Sequence, residues 1–159
     1  MRKKTKLAII LFVIIACMAV LLWLILLIPS ETEKKYLIGE MFVSKIIDGD
    51  TIIAEGESVR LLGIDTDEKG QPCYSEAKSR IEELVLNKEV KLEADAEDTD
   101  QYGRYLRYIF LDGKNINLQL VQEGLAVARF YPENIKYKQE IIDAEKQARE
   151  NKTGCKWKD

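Results

Sequence analysis

The sequence predicts an α+β fold: a five-stranded β-barrel with flanking helices, preceded by one N-terminal transmembrane helix. Three observations carry this expectation. Residues 7–28 contain no charged or strongly polar side chain. Five later stretches are alternating, β-branched or aromatic, and turns rich in Gly and Asp separate most of them, which is the signature of short strands. Between and after them lie segments with apolar residues at helical spacing.

Residues 7–28 form a run of 22. At about 1.5 Å per residue a helix of that length spans roughly 33 Å, close to the hydrocarbon thickness of a bilayer. A cleavable signal peptide has a shorter apolar core and a small-residue cleavage site, and Ile28-Pro29-Ser30 supplies none. Ile14-Ile15-Ala16-Cys17 loosely resembles a lipid-attachment box, but strongly apolar sequence continues beyond Cys17. The run is therefore read as a membrane anchor. Arg2, Lys3, Lys4 and Lys6 precede it, whereas Lys34 and Lys35 follow at a greater distance. By the excess of positive charge on the cytoplasmic side, residues 1–6 stay in the cytoplasm and the domain at 39–159 faces outward, joined by a charged linker at 29–38.

The outer part is acidic. Removing the four N-terminal basic residues from 24 Lys+Arg leaves a net charge of −7 against 27 Asp+Glu. Such a balance suits solubility and provides no long-range attraction to a polyanion. Cys17 falls in the span, so Cys73 and Cys155 form an even pair in an oxidising space, a candidate disulfide.

In order, the outer part reads as a strand at 41–47, an Asp-Gly-Asp turn, a strand at 51–54, a Glu-Gly-Glu turn and a strand at 58–62, a three-strand meander. Ser75 is a candidate cap for a helix to Asn87, with Ala77, Ile81, Leu84 and Val85 on one face. Residues 89–94 alternate as a fourth strand. The acidic segment 95–100 reads as a solvated loop, and 104–110 as a fifth strand. A short helix at 116–123 stops at Gly124. Residues 127–131 are extended. A last helix from Asn134 to Asn151 is expected to turn Ile135, Ile142, Ala144 and Ala148 inward. Three strands, a helix, two strands and closing helices is the order of an OB-type barrel, a fold that binds oligonucleotides and oligosaccharides.

The chemistry-bearing residues cluster at strand ends. Asp48 and Asp50 share one turn; Asp65, Asp67 and Glu68 follow the third strand, within which lies Arg60. Taken singly, Asp-Gly-Asp is a hairpin turn and each arginine a strand residue. Together, two turns supply hard oxygen ligands for a cation and leave one carboxylate as a base. The chain has no histidine, which excludes Ser-His-Asp and Cys-His catalysis, His-ligated zinc and a histidine base.

Three blocks resemble the staphylococcal nuclease (thermonuclease-like) family: Ile47-Asp48-Gly49-Asp50-Thr51, then residues 59–68 from Val59 to Glu68, and Asp100-Gln101-Tyr102-Gly103-Arg104. The resemblance covers about residues 40–157. It implies an OB barrel and calcium-dependent hydrolysis of phosphodiester bonds in DNA or RNA. It further implies one Ca2+ held by Asp50, Asp65 and the main-chain carbonyl of Thr66, with Asp48 nearby. Glu68 would be the general base, and Arg60 and Arg104 the phosphate clamps. Tyr102 and Tyr131 are candidate stacking partners for a nucleotide.

Asp67 stands where the family commonly has proline, and it predicts a looser loop with added negative charge beside the phosphate. Gln101 replaces a residue that is often basic. The loop after Glu68 is short, and the tyrosine-rich segment is reduced to Phe130-Tyr131. These departures bear on nucleotide affinity, and they keep open a second expectation, a non-catalytic OB module that binds nucleic acid or a partner.

Overall fold

The computed structural model describes residues 37–158 together with Ile14, Met18 and Val20, which are helical. It divides the chain into two units, Met1–Tyr36 and Leu37–Asp159. Apart from those three residues, the expected span at 7–28 lies outside the described residues, as do the basic tip and the linker up to residue 36. Among the described residues no helix is long and apolar enough to cross a membrane.

The second unit contains β1 (Gly39–Ile46), β2 (Thr51–Ala54), β3 (Glu57–Leu61), β4 (Ile64–Asp65), α1 (Tyr74–Val85), β5 (Glu89–Glu93), β6 (Tyr105–Leu111), β7 (Lys114–Asn115), α2 (Ile116–Gln122), β8 (Val127–Ala128), α3 (Lys138–Glu150) and α4 (Gly154–Trp157). Five strands in the order β3-β2-β1-β5-β6 close into a barrel because β3 also pairs with β6; β7 extends the β6 edge. The closing pair is parallel, with Val59 opposite Tyr105 and Leu61 opposite Arg107. Closure leaves no long free edge among these strands.

Strand β1 serves two neighbours. Gly39 to Phe42 pair with β5, and Val43 to Ile46 pair with β2 across an irregularity between Val43 and Lys45. A bulge of this kind bends a strand enough to turn a barrel corner. The period-2 pattern is clearest in β5, where Val90 and Leu92 are fully buried and Glu89 and Lys91 are exposed. Interior residues of the strands join Ala77 and Ile81 of α1, Leu120 of α2 and Ile141 of α3 in one core. Arg80 of α1 grips Glu123 through Nε and Nη2, each at 2.7 Å, which ties α1 to the end of α2.

Several expectations need correcting. Leu37, read as linker, is fully buried, and its carbonyl accepts from Arg107 Nε at 2.6 Å. Helix α1 starts at Tyr74 after Cys73, with no side-chain cap, so Ser75 lies inside the helix. The N–H of Cys73 is taken by Asp67 Oδ2 at 2.8 Å instead. Helix α3 begins at Lys138, not Asn134; the Asn134 side chain is buried and accepts from Glu97 N at 2.9 Å. That later start belongs with a different inward face. Ile141, Ala144 and Ala148 are buried, whereas Ile135 and Ile142 are exposed.

The acidic segment is the expected loop, with Ala96, Glu97 and Thr99 exposed, but its aspartates are paired rather than left to solvent. Asp98 Oδ1 accepts from Nη2 of the fully buried Arg107 at 2.5 Å. Asp95 Oδ2 accepts from Lys136 N at 2.9 Å. A buried guanidinium is tolerable only when its donors are satisfied. Arg107 meets that demand with carbonyls of Leu37, Asp98 and Leu106 as well.

Cys73 and Cys155 are joined by a disulfide, with Cα atoms 5.5 Å apart and 82 residues separating them in sequence. Closing a loop of that length removes roughly 4–5 kcal/mol of unfolded-state entropy in the chain-entropy model.

Candidate active site

The turn 48–50 and the loop after β4 meet because Gly49 has no side chain. A Cβ there would lie 2.7 Å from Thr66 Oγ1 and 2.9 Å from the Ala77 methyl. Within the turn, Asp48 Oδ1 accepts from Asp50 N at 3.1 Å, the local bond that favours aspartate in turns. The turn closes with Ile47 N donating to Thr51 O at 2.9 Å, and Asp50 O accepts from Leu61 N at 2.8 Å.

Asp50 is thus carried inward. Its Oδ2 accepts from Thr66 N at 2.8 Å and Thr66 Oγ1 at 3.1 Å. The same oxygen lies 3.1 Å from Arg60 Nη2, which is 2.8 Å from Asp65 Oδ1. One nitrogen therefore bridges carboxylates from the turn before β2 and from the end of β4. Burial pushes the Asp50 carboxyl up to about 6, against the opposing pull of Arg60 and the Thr66 N–H, while Asp48 adds to the rise. Arg60 Nη1 donates to Leu61 O at 2.8 Å, so the guanidinium is braced as well as paired.

These groups line a cleft of about 300 Å³ whose wall includes Asp48, Asp50, Arg60, Asp65, Glu68, Tyr102, Arg104 and Tyr131. The expected base and both expected arginines share it. Glu68 is exposed, and its N–H donates to Gln71 Oε1 at 2.8 Å. Arg104 Nε bonds Asp100 Oδ2 at 2.7 Å. Burial would raise the Asp100 carboxyl, but Arg104 and the N–H groups of Arg104 and Tyr102 hold it below the usual range. Tyr102 is 75 % exposed, with the Arg104 guanidinium 5.4 Å from its ring centre. Tyr102 and Tyr131 also line an adjoining depression of about 390 Å³ with Leu106. Thr66 is not on the cleft wall; it is buried behind Asp50.

Sequence reading missed Arg129. It follows β8, which pairs antiparallel with β4 so that Val127 faces Asp65; Arg129 N donates to Gly63 O at 2.9 Å. Its Nη1 reaches Asp65 Oδ2 at 3.0 Å. The guanidinium is the most exposed of the three in the cleft, its side chain 65 % accessible. A signal existed: Arg129 and Tyr131 are two apart in an extended segment, so they point to one side.

Asp67 is corrected. It does not add charge to the cleft. Its carboxylate faces the C-terminus, accepting from Cys73 N at 2.8 Å and from Lys156 Nζ. Burial would raise this carboxyl, but the Lys156 ammonium and the Cys73 N–H together hold it below the usual range.

The donor set suits a hard cation. The Asp50 and Asp65 carboxylates lie within reach of a single point, and two more, Asp48 and Glu68, stand in the same cleft beside the three guanidiniums, so the groups able to ligate a cation there offer oxygen. Among the described residues no three His, Cys, Asp or Glu side chains form a ready cage. An ion here would need main-chain, water or substrate oxygens to complete its shell.

A family model described as staphylococcal nuclease homologue matches residues 58–159. A thermonuclease of Staphylococcus intermedius is 41% identical over 131 residues, covering 76% of this chain and 78% of that protein. A thermonuclease of Staphylococcus hyicus is 39% identical over 120 residues, covering 69% and 71%. Endonuclease YncB of Bacillus subtilis is 38% identical over 136 residues, covering 78% and 64%. With a barrel closed through β3 and β6 and a family model matched over most of its length, the chain belongs to the staphylococcal nuclease family.

Proposed function

We propose that the chain is a calcium-dependent nuclease that hydrolyses phosphodiester bonds of DNA or RNA, tethered to the cell membrane by residues 7–28 with its catalytic domain facing outward. The observation that carries the reading is the meeting of Asp50 and Asp65 at Arg60 in a cleft that also holds Glu68, Arg104 and Arg129. Relatives named thermonuclease and endonuclease support it. The tether rests on the apolar run and the asymmetry of Lys and Arg about it.

Asp50 and Asp65, with the Thr66 carbonyl, would hold the cation, and Asp48 would lie outside its direct ligands. When bound, the ion supplies Lewis-acid stabilisation of charge on a phosphate oxygen. Glu68 takes a proton from the attacking water, an effect of about 10²–10⁴-fold in rate. Arg60 and Arg104 donate to the non-bridging oxygens as negative charge grows on them. Arg129, exposed at the rim, meets a neighbouring phosphate of the strand, and Tyr102 and Tyr131 offer faces for bases. The cleft sets three guanidiniums against four carboxylates, so the local attraction that the acidic domain lacks overall would come from the guanidiniums together with a bound cation.

Incubating the full-length chain with single-stranded DNA and millimolar calcium tests this. Cleavage abolished by EDTA, and lost in Glu68→Gln with substrate binding retained, is the expected result. Glu68→Gln cleaving as fast as the parent would remove Glu68 as the base. A second reading, a non-catalytic module that binds nucleic acid or a partner, draws on one observation: Arg60 and Arg104 are already engaged by carboxylates. Tight strand binding without turnover at any divalent cation would favour it.

A further inference from the structure

Asp67 lies between Thr66, which braces Asp50, and Glu68. Its side chain turns away from both. Oδ2 accepts the Cys73 N–H at 2.8 Å and Oδ1 takes the Lys156 ammonium. The two charged side chains are 13 % and 19 % exposed, so the pair is largely shielded and worth more than a surface contact.

Lys156 is itself anchored. It belongs to the short α4, and its N–H donates to Gly124 O at 3.1 Å. The chain segments cross there so tightly that a Cβ on Gly124 would lie 1.8 Å from Thr153 O. The preceding residue, Cys155, is bonded to Cys73 at the far end of the same loop. Two ties from one seated C-terminal turn therefore grip the loop 66–73 at both ends. Glu68, by contrast, has among the described residues hydrogen bonds internal to that loop: its N–H to Gln71 Oε1 at 2.8 Å, and Gln71 N to its carbonyl at 2.9 Å.

We propose that Asp67 and Lys156 form a positioning pair that holds Glu68 at the cleft, so that the C-terminal turn, remote in sequence, sets the placement of the base. The inference rests on the reading of Glu68 as the base. It gives Asp67 a role where a stiffening residue was missing: the ion pair and the disulfide restrain the loop from outside. Displacing a reacting group by about 1 Å costs up to about a hundredfold in rate. Releasing one of two ties is expected to cost less.

The experiment is a cycle on the full-length chain. Asp67→Asn and Lys156→Met are each expected to lower kcat about tenfold, with KM and calcium affinity within about twofold, because Asp50, Asp65 and their partners are untouched. Combined with Glu68→Gln, neither is expected to lower the residual rate further, since the misplaced group is already gone. A tenfold loss that persists in the Glu68→Gln background assigns the effect to general disruption and overturns the proposal. If Glu68→Gln loses activity while both clasp variants keep the parent kcat, the clasp alone falls. If Glu68→Gln keeps the parent kcat, the base reading falls and the clasp with it. Should Asp67→Asn fail to fold by circular dichroism, Lys156→Met carries the same comparison.

Discussion

Asp50 lies in the turn between β1 and β2 and Asp65 closes β4, yet their carboxylates meet on a single nitrogen, Arg60 Nη2, at 3.1 and 2.8 Å. The guanidinium holds the Asp50 turn and the end of β4 together before any cation or substrate arrives. Arg60→Gln would leave Asp50 buried with its main opposing charge gone. Removing one partner of a buried pair costs about 3–5 kcal/mol. The loss is expected in full in urea unfolding at pH 8 without calcium, and to shrink at pH 5, where Asp50 takes up a proton. Calcium should restore part of it at pH 8. Equal stability of parent and variant at both pH values would refute the brace.

The Asp50 carboxyl is raised by burial from 3.8 to about 6. An unfolded chain releases that proton near 3.8 and the folded chain near 6, so between these values the folded state holds the extra proton. The Asp50 contribution to stability of the metal-free protein is therefore greatest below 3.8 and is lost as pH rises through 6. A cation reverses the preference, because it requires the ionised form. Calcium affinity should fall about tenfold per pH unit below 6, by competition with the proton. Calorimetric titration at pH 5 and pH 7 checks this, and a flat profile would count against Asp50 as a ligand.

Arg129 tests how substrate is gripped. Its exposed position and its bond to Asp65 Oδ2 at 3.0 Å suit a contact with a neighbouring phosphate more than with the reacting one. Arg129→Ala should raise KM for single-stranded DNA about fivefold with little change in kcat. The slope of log affinity against log salt should fall by about 0.7, the value for one phosphate on a single strand. A change confined to kcat would place Arg129 with the chemistry instead.

Much of this was legible in the sequence because the signals are local. Alternation marked β5 and the meander, and Asp-Gly-Asp and Val59 to Glu68 announced their turns. The remainder depends on contacts between distant segments. Arg129 enters the cleft through a two-residue ladder between β4 and β8, too short to leave a pattern. The direction of the Asp67 side chain is set by Lys156, 89 residues away. In α3 the helix starts four positions later than expected, and the inward residue is Ile141 rather than Ile142.

Gly49 is where sequence signal and tertiary packing coincide. In the sequence it is a turn glycine; in the structure it is the point at which the two halves of the candidate cation site touch. A Cβ at this position would stand 2.7 and 2.8 Å from Thr66 Oγ1 and Cγ2 and 2.9 Å from Ala77 Cβ. Ala77 is on a fully buried face of α1 and Thr66 is itself tied to Asp50, so neither neighbour yields cheaply. Gly49→Ala is expected to cost about 1–3 kcal/mol, as overpacking does. It should also weaken calcium binding, because the displaced turn carries Asp50 away from Asp65. Gly56→Ala is the control: a Cβ there meets nothing within 4 Å, so its cost is limited to the left-handed backbone and calcium affinity should stay unchanged. Urea unfolding and calcium titration of both variants separate the two effects. Unchanged calcium affinity in Gly49→Ala, despite lower stability, would mean that the carboxylates are aligned by Arg60 alone.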